Sequence, residues 1–566
     1  MDRDGGFDED GAPVGSGSEN GVDGHGLGYL LDGADGDGEL AAASVLRPEI
    51  LDAVVKVYAT HSEPNYSQPW QRRRQVQSTS SGFIIEGRRL LTNAHSVEHY
   101  TVVQVKKRGS DVKYQCRVLA IAHECDLALM EVDDDAFWAD TQPLRPGGLP
   151  MLQDAIVVIG YPIGGDTVSV TAGVVSRVEM MPYSHGQAEL LGVQVDSAIN
   201  PGNSGGPAFN SERQVVGVAF QGLAPTEAEA IGYIIPFVVV QHFLDDVARN
   251  EGRYTGFCST GFEWSKLENK DMRASLGLTT PDLGVLVKHV EKPTLAAEKL
   301  SKGDVVTHID GVPISSGGTV PYRSGARISF TYLCTRKFVG DTVTLTIVRK
   351  GAVTDVSYPL GKVTDPLLVP VHESRRRPEY LVLGGLVFVA LTEKYLSSEY
   401  GSQWDAKAPV RLLVRLMHTH KKFADEQVVL LSSVLNASIN LGFEHLSNCQ
   451  LFAVNGTPVR NVAHMAALVD AAKSEYITFD LDYDECVVLH REKALAATQA
   501  ILDTHSIAAA RSIGPLPPKE DESPETKVAA TAAVGAPVAA AEQPAAGAPS
   551  GETAGEPPPP PDSAGP

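Results

Sequence analysis

A serine surrounded by glycines is the part of this 566-residue chain best suited to covalent chemistry. The stretch Ile199–Pro207 reads INPGNSGGP, with Ser204 near its centre. A serine hydroxyl alone is a weak nucleophile. Glycines let main-chain N–H groups turn toward the place where a carbonyl oxygen would gain negative charge. The stretch therefore offers an attacking group together with oxyanion donors, for which we predict the N–H groups of Gly202, Asn203 and Ser204.

The two other groups that such a serine needs lie upstream. His95 ends the sequence TNAH, and Asp126 begins the sequence DLAL. A histidine would take the proton of Ser204, and an aspartate would orient the imidazole and stabilise its charged form. The order His, Asp, Ser is that of chymotrypsin-type enzymes rather than of subtilisins or α/β-hydrolases. These spacings predict a catalytic triad of His95, Asp126 and Ser204.

An alternative hypothesis is a metal site at His95 and His99. Residues 95–99 read HSVEH, which matches the H-x-x-E-H pattern of some zinc proteases. Zinc would need His95 and His99 on one face of a helix and a third ligand. The preceding apolar run is short and a β-rich stretch follows from Thr101, so the pattern favours a surface turn. We therefore predict no metal and no cofactor, and keep the metalloprotease as an alternative hypothesis.

The segments that must position these groups are predicted to be β-strands. Between about residues 50 and 236, short apolar runs alternate with Gly, Pro, Asp and Ser, which is typical of an all-β region. The runs are Val54–Tyr58, Phe83–Ile85, Val102–Val105, Ala155–Ile159, Val168–Val175, Val193–Val195, Val215–Phe220 and Tyr233–Ile235. The histidine and aspartate fall in the first half and the serine in the second. We predict two packed β-barrels with the site between them, closed by a helix at Phe237–Asn250.

Two later segments repeat one pattern. Residues 306–314 read VTHIDGVPI and residues 451–459 read LFAVNGTPV. In each, an alternating apolar strand meets Asp-Gly or Asn-Gly and then a proline, which is strand–turn–strand chemistry. We predict two copies of a small β-rich module at 251–360 and 379–490, a linker at 361–378 and a C-terminal helix at 491–511.

The ends of the chain differ from its middle in composition. Residues 1–46 are rich in Gly and Asp, and residues 512–566 are rich in Ala and Pro, so we expect both to be disordered. The net charge is −22, of which the body between residues 47 and 510 carries only −7. A nearly neutral body predicts no nucleic-acid partner. The six cysteines show no C-x-x-C pair, and we expect reduced thiols.

The sequence also allows a prediction about targeting signals and membrane spans. The N-terminal residues are acidic and lack an apolar core, so no secretory signal or transit peptide is expected. No apolar run approaches the ~20 residues that a transmembrane helix needs. These patterns predict a soluble intracellular protein without a membrane span.

The motifs together resemble the HtrA/Deg (DegP-like) serine proteases. TNAH, DLAL and GNSGGP carry the resemblance, supported by Ser81-Gly82-Phe83 before them and by residues 231–236, IGYIIP, after them. The repeated modules then resemble PDZ domains. The sequence PWQRRRQ at residues 69–75 is similar to the two-PDZ branch of plants and algae.

The resemblance implies a fold and an activity. The fold is mainly β, with a chymotrypsin-like double-barrel protease domain at 47–250, PDZ domain 1 at 251–360 and PDZ-like domain 2 at 379–490. The activity is ATP-independent cleavage of unfolded, damaged or regulatory proteins after small aliphatic residues, in quality control. Partners are protein substrates, peptide C-termini and copies of the chain, as trimers or multiples such as hexamers.

The resemblance also implies substrate-binding residues. Ile199 matches a position that lines the S1 pocket. Tyr254, Thr255, Gly256 and Phe257 align with a loop that binds a peptide carboxylate, and a plain strand start is the alternative. In the second module, Leu383–Leu386 stands in the matching place, where a structural or oligomer-forming role remains open.

Location and activity state stay open at this point. Members of the branch occur in the nucleus and in the chloroplast, and we predict the nucleus, with the cytosol or chloroplast as alternatives. The alternative function is a PDZ-bearing scaffold or holdase chaperone whose triad is resting and misaligned.

Overall fold

The computed structural model describes residues 47–186, 188–222, 231–278, 280, 282–362, 367–369 and 377–514. The segment expected to be disordered at 1–46 lies outside these residues. The same holds for the expected tail at 512–566, except for residues 512–514. The expected linker at 361–378 is described only in part.

The first barrel is a closed sheet with the strand order β1-β2-β3-β6-β5-β4. A short helix, α1 (Pro48–Leu51), precedes it and α2 (Asp135–Trp138) follows it. Buried and exposed side chains alternate along β4, where Val103 and Val105 face the core. The strands are β1 (Val54–His61), β2 (Val76–Ile85), β3 (Arg89–Thr92), β4 (Tyr100–Lys107), β5 (Lys113–Ala122) and β6 (Leu127–Val132).

The second barrel is closed in the order β10-β11-β12-β9-β8-β7. Its strands are β7 (Ala155–Gly160), β8 (Ser169–Pro182), β9 (Glu189–Val195), β10 (Pro207–Phe209), β11 (Val215–Gly222) and β12 (Gly232–Pro236). Phe83 of the first barrel and Phe220 of the second belong to one continuous hydrophobic core. The closing helix α3 (Phe237–Arg249) packs Val240 and Phe243 into the same core. The barrels are therefore held against each other by apolar packing.

The first module after the barrels is a sheet in the order β13-β14-β15-β19-β20, with β16 beside β15. A separate hairpin joins β17 to β18. The strands are β13 (Phe262–Ser265), β14 (Val285–Val290), β15 (Val305–Ile309), β16 (Val312–Pro313), β17 (Thr319–Pro321), β18 (Arg327–Ser329), β19 (Thr342–Arg349) and β20 (Ala352–Pro359). The helices are α4 (Lys270–Ser275), α5 (Ala296–Lys299) and α6 (Thr331–Thr335).

The second module has the strand order β27-β26-β24-β23-β22-β21-β28, with β25 beside β24. The strands are β21 (Tyr380–Leu383), β22 (Leu386–Ala390), β23 (Val429–Val434), β24 (Cys449–Val454), β25 (Thr457–Pro458), β26 (Tyr476–Leu481), β27 (Cys486–His490) and β28 (Arg511–Ser512). The helices are α7 (Glu393–Tyr400), α8 (Trp404–Lys407), α9 (Val410–His418), α10 (Val462–Ala471) and α11 (Arg491–Thr504).

The repeated sequence pattern forms the same hairpin twice. Asp310-Gly311 links β15 to β16, and Asn455-Gly456 links β24 to β25. All four turn residues have positive φ, between 48° and 78°. Positive φ at both central positions is the geometry of a two-residue hairpin turn, and Asp-Gly and Asn-Gly adopt it most readily. Similar turn chemistry therefore produces both hairpins.

The mainly β fold, with two barrels followed by two further β modules, is confirmed. The C-terminal helix differs from the prediction, because α11 ends at Thr504 and Arg511–Ser512 forms an edge strand beside Tyr380–Leu381. All six cysteines are free thiols. Among the described residues, no helix is long and apolar enough to span a membrane.

Candidate active site

The pairing of β3 with β6 brings His95 to Asp126. Thr92 at the end of β3 lies opposite Ala128 at the start of β6, so the turns that follow and precede these strands are neighbours. His95 Nδ1 lies 2.7 Å from Asp126 Oδ2, and the His95 main-chain N–H donates to Oδ1 at 2.9 Å. The side chain of Asn93 donates to the Asp126 carbonyl at 2.8 Å. These contacts fix both the position and the orientation of the imidazole.

Asp126 itself is held in an unusual backbone conformation. Its φ is 52°, in the left-handed region that aspartate tolerates better than most residues. The residue is 1% exposed, and its N–H donates to the carbonyl of His123 at 3.2 Å. A tight turn between β5 and β6 thus points a buried carboxylate at the histidine.

The electrostatics of His95 follow from this burial. Desolvation lowers the pKa of His95, but the charge and hydrogen bond of Asp126, with help from Glu98, raise the pKa above its ordinary value. The pKa of the neighbouring His185 is lowered, because burial outweighs the opposing charge of Asp126 and His95 adds to the effect of burial. Asp126 therefore stabilises the protonated form of the histidine beside the cavity.

Ser204 follows a tight turn between β9 and β10. The N–H of Asn203 donates to the carbonyl of Asn200 at 2.9 Å, and Gly202 has a φ of 100°. Proline at the second position and a positive φ at the third identify a type II turn, which favours glycine there. The carbonyl of Pro201 accepts from the N–H of Ile163 at 2.9 Å. Because a trans peptide holds C=O and N–H on opposite sides, the N–H of Gly202 faces away from Ile163.

This turn uses one of the three predicted oxyanion donors and leaves the other two available. Within the described part of the chain, the N–H groups of Gly202 and Ser204 donate to no protein acceptor. The N–H of Asn203 is used by the turn, so the prediction of Asn203 as a donor is corrected. The structure thus leaves Gly202 and Ser204 as the pair that can face an oxyanion.

A residue of the first barrel supports the serine turn. The hydroxyl of Ser81 donates to the Gly202 carbonyl at 2.7 Å and accepts from the N–H of Tyr161 at 2.7 Å. Its main-chain N–H donates to the Ser204 carbonyl at 2.9 Å. Ser81 is fully buried. In the sequence, Ser81 stands out only as part of a motif, and its role in positioning the turn could not be predicted.

The backbone packs so tightly here that one more glycine is required. A Cβ on Gly205 would lie 2.1 Å from the carbonyl oxygen of Ser81 and 2.5 Å from Thr92 Oγ1. Its φ of 84° is also unfavourable for other residues. The glycine after Ser204 therefore allows the two barrels to meet at the site.

Ser204 and His95 face one cavity of about 570 Å³. Ile163, Arg73 and Arg74 line the same cavity. The Ser204 hydroxyl donates to the carbonyl of Phe220 at 3.4 Å, and among the described residues it makes no hydrogen bond to His95. The structure thus brings the serine, histidine and aspartate to one cleft, with the serine hydroxyl turned aside.

Ile199, the residue before the serine turn, packs against the second barrel. A Cβ on Gly232 would be 2.7 Å from Ile199 Cγ1, so the isoleucine packs on the backbone of β12. It also contacts the apolar core of the second barrel. Among the described residues that line the cavity next to Ser204, Ile199 is not included.

The predicted carboxylate-binding loop, Tyr254–Phe257, lies at the junction between the protease barrels and the first module. The N–H and hydroxyl of Thr255 both donate to the buried carboxylate of Asp246 on α3, each at 2.6 Å. A Cβ on Gly256 would lie 2.9 Å from Glu124 Oε1 of the first barrel. This segment joins the protease barrels to the first module. The Thr255 N–H is therefore not available to a peptide carboxylate, whereas peptide binding by Tyr254, Gly256 and Phe257 stays a prediction.

A groove that suits a peptide lies a few residues further along. The strand β13 is at the edge of its sheet, and a cavity of about 380 Å³ separates it from α6. Thr260 and Trp264 line it near β13, Thr331 and Cys334 line it from α6, and Glu189 of the second barrel also lines it. An edge strand facing a helix can accept an extended peptide as a further strand.

The matching segment of the second module is a closed turn. Gly384 and Gly385 connect β21 to β22 with φ values of 55° and 89°. The carbonyl of Gly384 accepts from Asn440 Nδ2 at 2.8 Å, and its N–H donates to Thr498 Oγ1 at 2.9 Å. These contacts are inside the domain, which supports a structural role for this turn.

The zinc-protease alternative lacks its geometry. Residues 95–99 lie in turns rather than on a helix, and His95 is bound to Asp126. In the described ranges, the group of three ligand-bearing side chains that converges is Glu98, His123 and His185. It contains neither His95 nor His99.

The comparison with known proteins follows the same division of the chain. A trypsin-like peptidase domain matches residues 80–218, and PDZ domains match residues 261–360 and 369–514. The chain is 44% identical over 491 residues to Protease Do-like 2, chloroplastic, of Arabidopsis thaliana, covering 87% of this chain and 80% of that protein. It is 38% identical over 484 residues to Protease Do-like 4, mitochondrial, of the same plant, covering 85% of this chain and 89% of that protein.

Solved structures overlap less completely. The HtrA-type protease AlgW, solved with a decapeptide, covers 58% of this chain and 99% of its own at 23% identity, with a TM-score of 0.45. The family relationship rests on the sequence relatives, which align over most of the chain.

Proposed function

The chain belongs to the Do-like (HtrA/Deg) family of serine proteases and is a serine endopeptidase, and on that premise we propose that Ser204, His95 and Asp126 carry out the cleavage. The observation that carries this assignment is the 2.7 Å contact between His95 Nδ1 and Asp126 Oδ2, beside a cavity that Ser204 also lines.

The proposed reaction proceeds in steps that these contacts support. Ser204 Oγ attacks the scissile carbonyl while His95 Nε2 takes its proton, and the imidazolium is stabilised by Asp126. The N–H groups of Gly202 and Ser204 bind the oxyanion of the tetrahedral intermediate. His95 then protonates the leaving amine, and water repeats the sequence to release the acyl group.

Before attack, the Ser204 hydroxyl has to turn. It now donates to Phe220 O at 3.4 Å, which is long for a hydroxyl donor. A rotation about the Cα–Cβ bond releases this weak contact and directs Oγ toward His95 without moving the backbone. The turn that presents Gly202 is already in place, so we propose that substrate binding selects the productive rotamer. The names of the relatives do not favour the scaffold alternative.

One substitution tests this assignment. Ser204→Ala should abolish cleavage of casein while leaving the fold intact, because the nucleophile alone is removed. A chelator should not inhibit the wild-type enzyme in this assay, since no metal takes part in the proposed step. Cleavage retained in Ser204→Ala, or lost on chelation, would contradict the triad.

We propose that the groove between β13 and α6 binds the C-terminus or an extended segment of the substrate. The edge of β13 supplies main-chain hydrogen bonds, and Trp264 together with Cys334 supplies apolar contact. Trp264→Ala should weaken binding of a fluorescent apolar peptide to the Ser204→Ala protein. Unchanged affinity would exclude this groove.

The cleavage preference is a proposal supported by one residue and by the family resemblance. Ile199 presents an apolar side chain beside the serine turn and packs on Gly232. A small apolar pocket discriminates against charged side chains. We propose cleavage after Val, Ala or Leu in unfolded, damaged or regulatory proteins, in quality control. Sequencing of casein fragments tests this preference, and frequent cleavage after Lys or Asp would contradict it.

Assembly into trimers, or into multiples such as hexamers, is proposed on the same resemblance. Light scattering on the Ser204→Ala protein measures the assembled mass directly. A monomer at micromolar concentration would contradict the proposal.

The nuclear location expected from the sequence is wrong. Three relatives that align over most of the chain are named chloroplastic or mitochondrial. We propose an organellar location, with the chloroplast supported by the relative at 44% identity. A fluorescent fusion of the full-length protein tests this proposal.

A further inference from the structure

Three side chains outside the proposed triad converge beside it. Glu98 lies in the turn after β3, His123 between β5 and β6, and His185 between β8 and β9. Each offers one ligand atom, and these atoms all lie within 4.8 Å of one another. We propose that Glu98, His123 and His185 form a Zn²⁺ site that joins the two barrels at the edge of the cleft and regulates the protease.

The distances fit a tetrahedral ion. Two ligand atoms that are each about 2.0–2.1 Å from zinc lie about 3.4 Å apart at the tetrahedral angle. His123 Nδ1 is 3.4 Å from His185 Nε2, and His185 Nε2 is 3.7 Å from Glu98 Oε2. Two imidazoles and one carboxylate are a ligand set that zinc accepts, with water in the fourth position. The third pair, Glu98 and His123, lies within 4.8 Å, so side-chain movements of the order of 1 Å would bring all three pairs to the tetrahedral separation.

The surroundings favour a cation at this point. The side chains of Glu98 and His185 are only 13% and 15% exposed, so bulk water competes weakly for them. A buried carboxylate costs free energy unless a positive charge compensates it. His99 Nε2 already lies 3.7 Å from Glu98 Oε1, and a divalent ion between Glu98 and the two histidines adds a full positive charge on the other carboxylate oxygen.

The site links two parts of the protein. Glu98 and His123 belong to loops of the first barrel, whereas His185 belongs to the second. An ion bound by all three therefore fixes the barrels across the cleft that holds the proposed triad. Because zinc would bind the folded arrangement and not an unfolded chain in the same geometry, it should also raise thermal stability.

The consequence for activity rests on the proposed function. The rings of His185 and His95 pack edge to face, with centroids 6.0 Å apart. A dication bound to His185 lies one ring away from the imidazole that becomes positively charged during the reaction. Repulsion between these charges raises the barrier, so zinc should lower kcat and leave KM nearly unchanged.

The binding test does not depend on proteolysis. Zn²⁺ is titrated into the chelator-treated, full-length Ser204→Ala protein by isothermal titration calorimetry, and one ion per chain is expected. His123→Ala or His185→Ala in that background should weaken binding at least about tenfold. The matched control is His420→Ala, because His420 also stacks on a histidine, His289, and contacts Glu263 at 2.8 Å. Unchanged affinity in both ligand variants, or a loss confined to the control, would overturn the site.

A second measurement keeps all three ligands. Crystals of the Ser204→Ala protein with zinc, measured at the zinc absorption edge, should show an anomalous peak between Glu98, His123 and His185. A peak elsewhere, or none, contradicts the site even where a ligand variant fails to fold.

The proposed regulation of the protease by zinc is tested on the wild-type enzyme. Zinc should reduce kcat by about tenfold, reversibly by chelator, and this inhibition should vanish in His123→Ala. Zinc bound without any change in kcat would contradict regulation. A metal-free wild-type enzyme without activity would instead refute the proposed function and leave the metal site standing.

Discussion

The hydroxyl of Ser81 donates to the carbonyl of Gly202 across a separation of 121 residues, at 2.7 Å. Ser81 belongs to β2 of the first barrel, whereas Gly202 belongs to the serine turn of the second. The same hydroxyl also accepts from the N–H of Tyr161. One buried side chain thus ties the presentation of the proposed oxyanion donors to the packing of the barrels.

Removing this hydroxyl should impair the reaction more than binding. Ser81→Ala leaves the Gly202 carbonyl and the Tyr161 N–H without their partner, so the turn can relax. A displacement of the order of 1 Å at the reacting centre costs about 10²-fold in rate, and we expect this loss in kcat with KM little changed. Steady-state kinetics on a peptide substrate measure both.

The matched control is Ser432→Ala in the second PDZ domain. Ser432 is also buried and donates to a main-chain carbonyl, that of Val387, at 3.1 Å. Both variants should lose about 1–3 kcal/mol of stability, but only Ser81→Ala should lose kcat. Equal kcat in the two variants would show that Ser81 is merely structural.

Gly202→Ala should disable the oxyanion donors. Its φ of 100° is strained for alanine, and the new Cβ would lie 2.6 Å from both Ile163 N and Tyr161 O. The turn must then change type and direct the Gly202 N–H away from the substrate. Loss of one such donor costs about 10²–10³-fold in kcat. Gly148→Ala is the control, because a Cβ there meets nothing within 4 Å, and equal activities would contradict the assigned turn.

Asp126→Asn should preserve the fold and remove most of the activity. An amide has no charge to stabilise the imidazolium and favours the wrong tautomer of His95. In a comparable triad the same change lowers kcat by about 10⁴-fold, and we expect a similar loss in cleavage assays with unchanged circular dichroism. A loss below about tenfold would mean that another group orients His95.

Stability should depend on pH through Glu291 in the first PDZ domain. Burial, with the nearby charge of Glu263, raises the pKa of Glu291 from 4.5 to about 7, while His420 and a hydrogen bond from Ser259 oppose the shift. Because the folded pKa is the higher one, the stabilising contribution is complete below pH 4.5 and is lost as pH rises through 7.

Glu291→Gln removes this dependence. The variant should match the wild type near pH 4.5 and exceed it at pH 8, by at most about 3 kcal/mol. Apparent melting temperatures across this pH range measure the difference. A difference that is constant with pH, or that is larger in acid, would exclude Glu291 as the group responsible.

The proposed triad could be located in the sequence because its chemistry restricts both residue types and local spacing. His95, Asp126 and Ser204 each stand in short motifs whose glycines and strands reveal the turns around them. The Asp-Gly and Asn-Gly hairpins were predictable for the same reason, since positive φ at both positions selects these residues.

Contacts between distant segments could not be predicted in this way. Tyr254–Phe257 is predicted to bind a peptide carboxylate, with a strand start as the alternative, yet Asp246 and Glu124 contact it at a domain junction. The N–H of Asn203, predicted to bind an oxyanion, donates within a turn that the sequence motif does not reveal. The contacts of Ser81 and His123 are visible only in the folded protein, where the closed barrels bring separate segments together.

Covalent labelling tests the central claim most directly. The wild-type protein treated with a fluorophosphonate should carry one adduct, located by mass spectrometry on Ser204. Labelling should disappear in Ser204→Ala and fall sharply in His95→Ala, because the hydroxyl needs its general base. An adduct on a different serine, or equal labelling in wild type and His95→Ala, would contradict a nucleophile at Ser204 activated by His95.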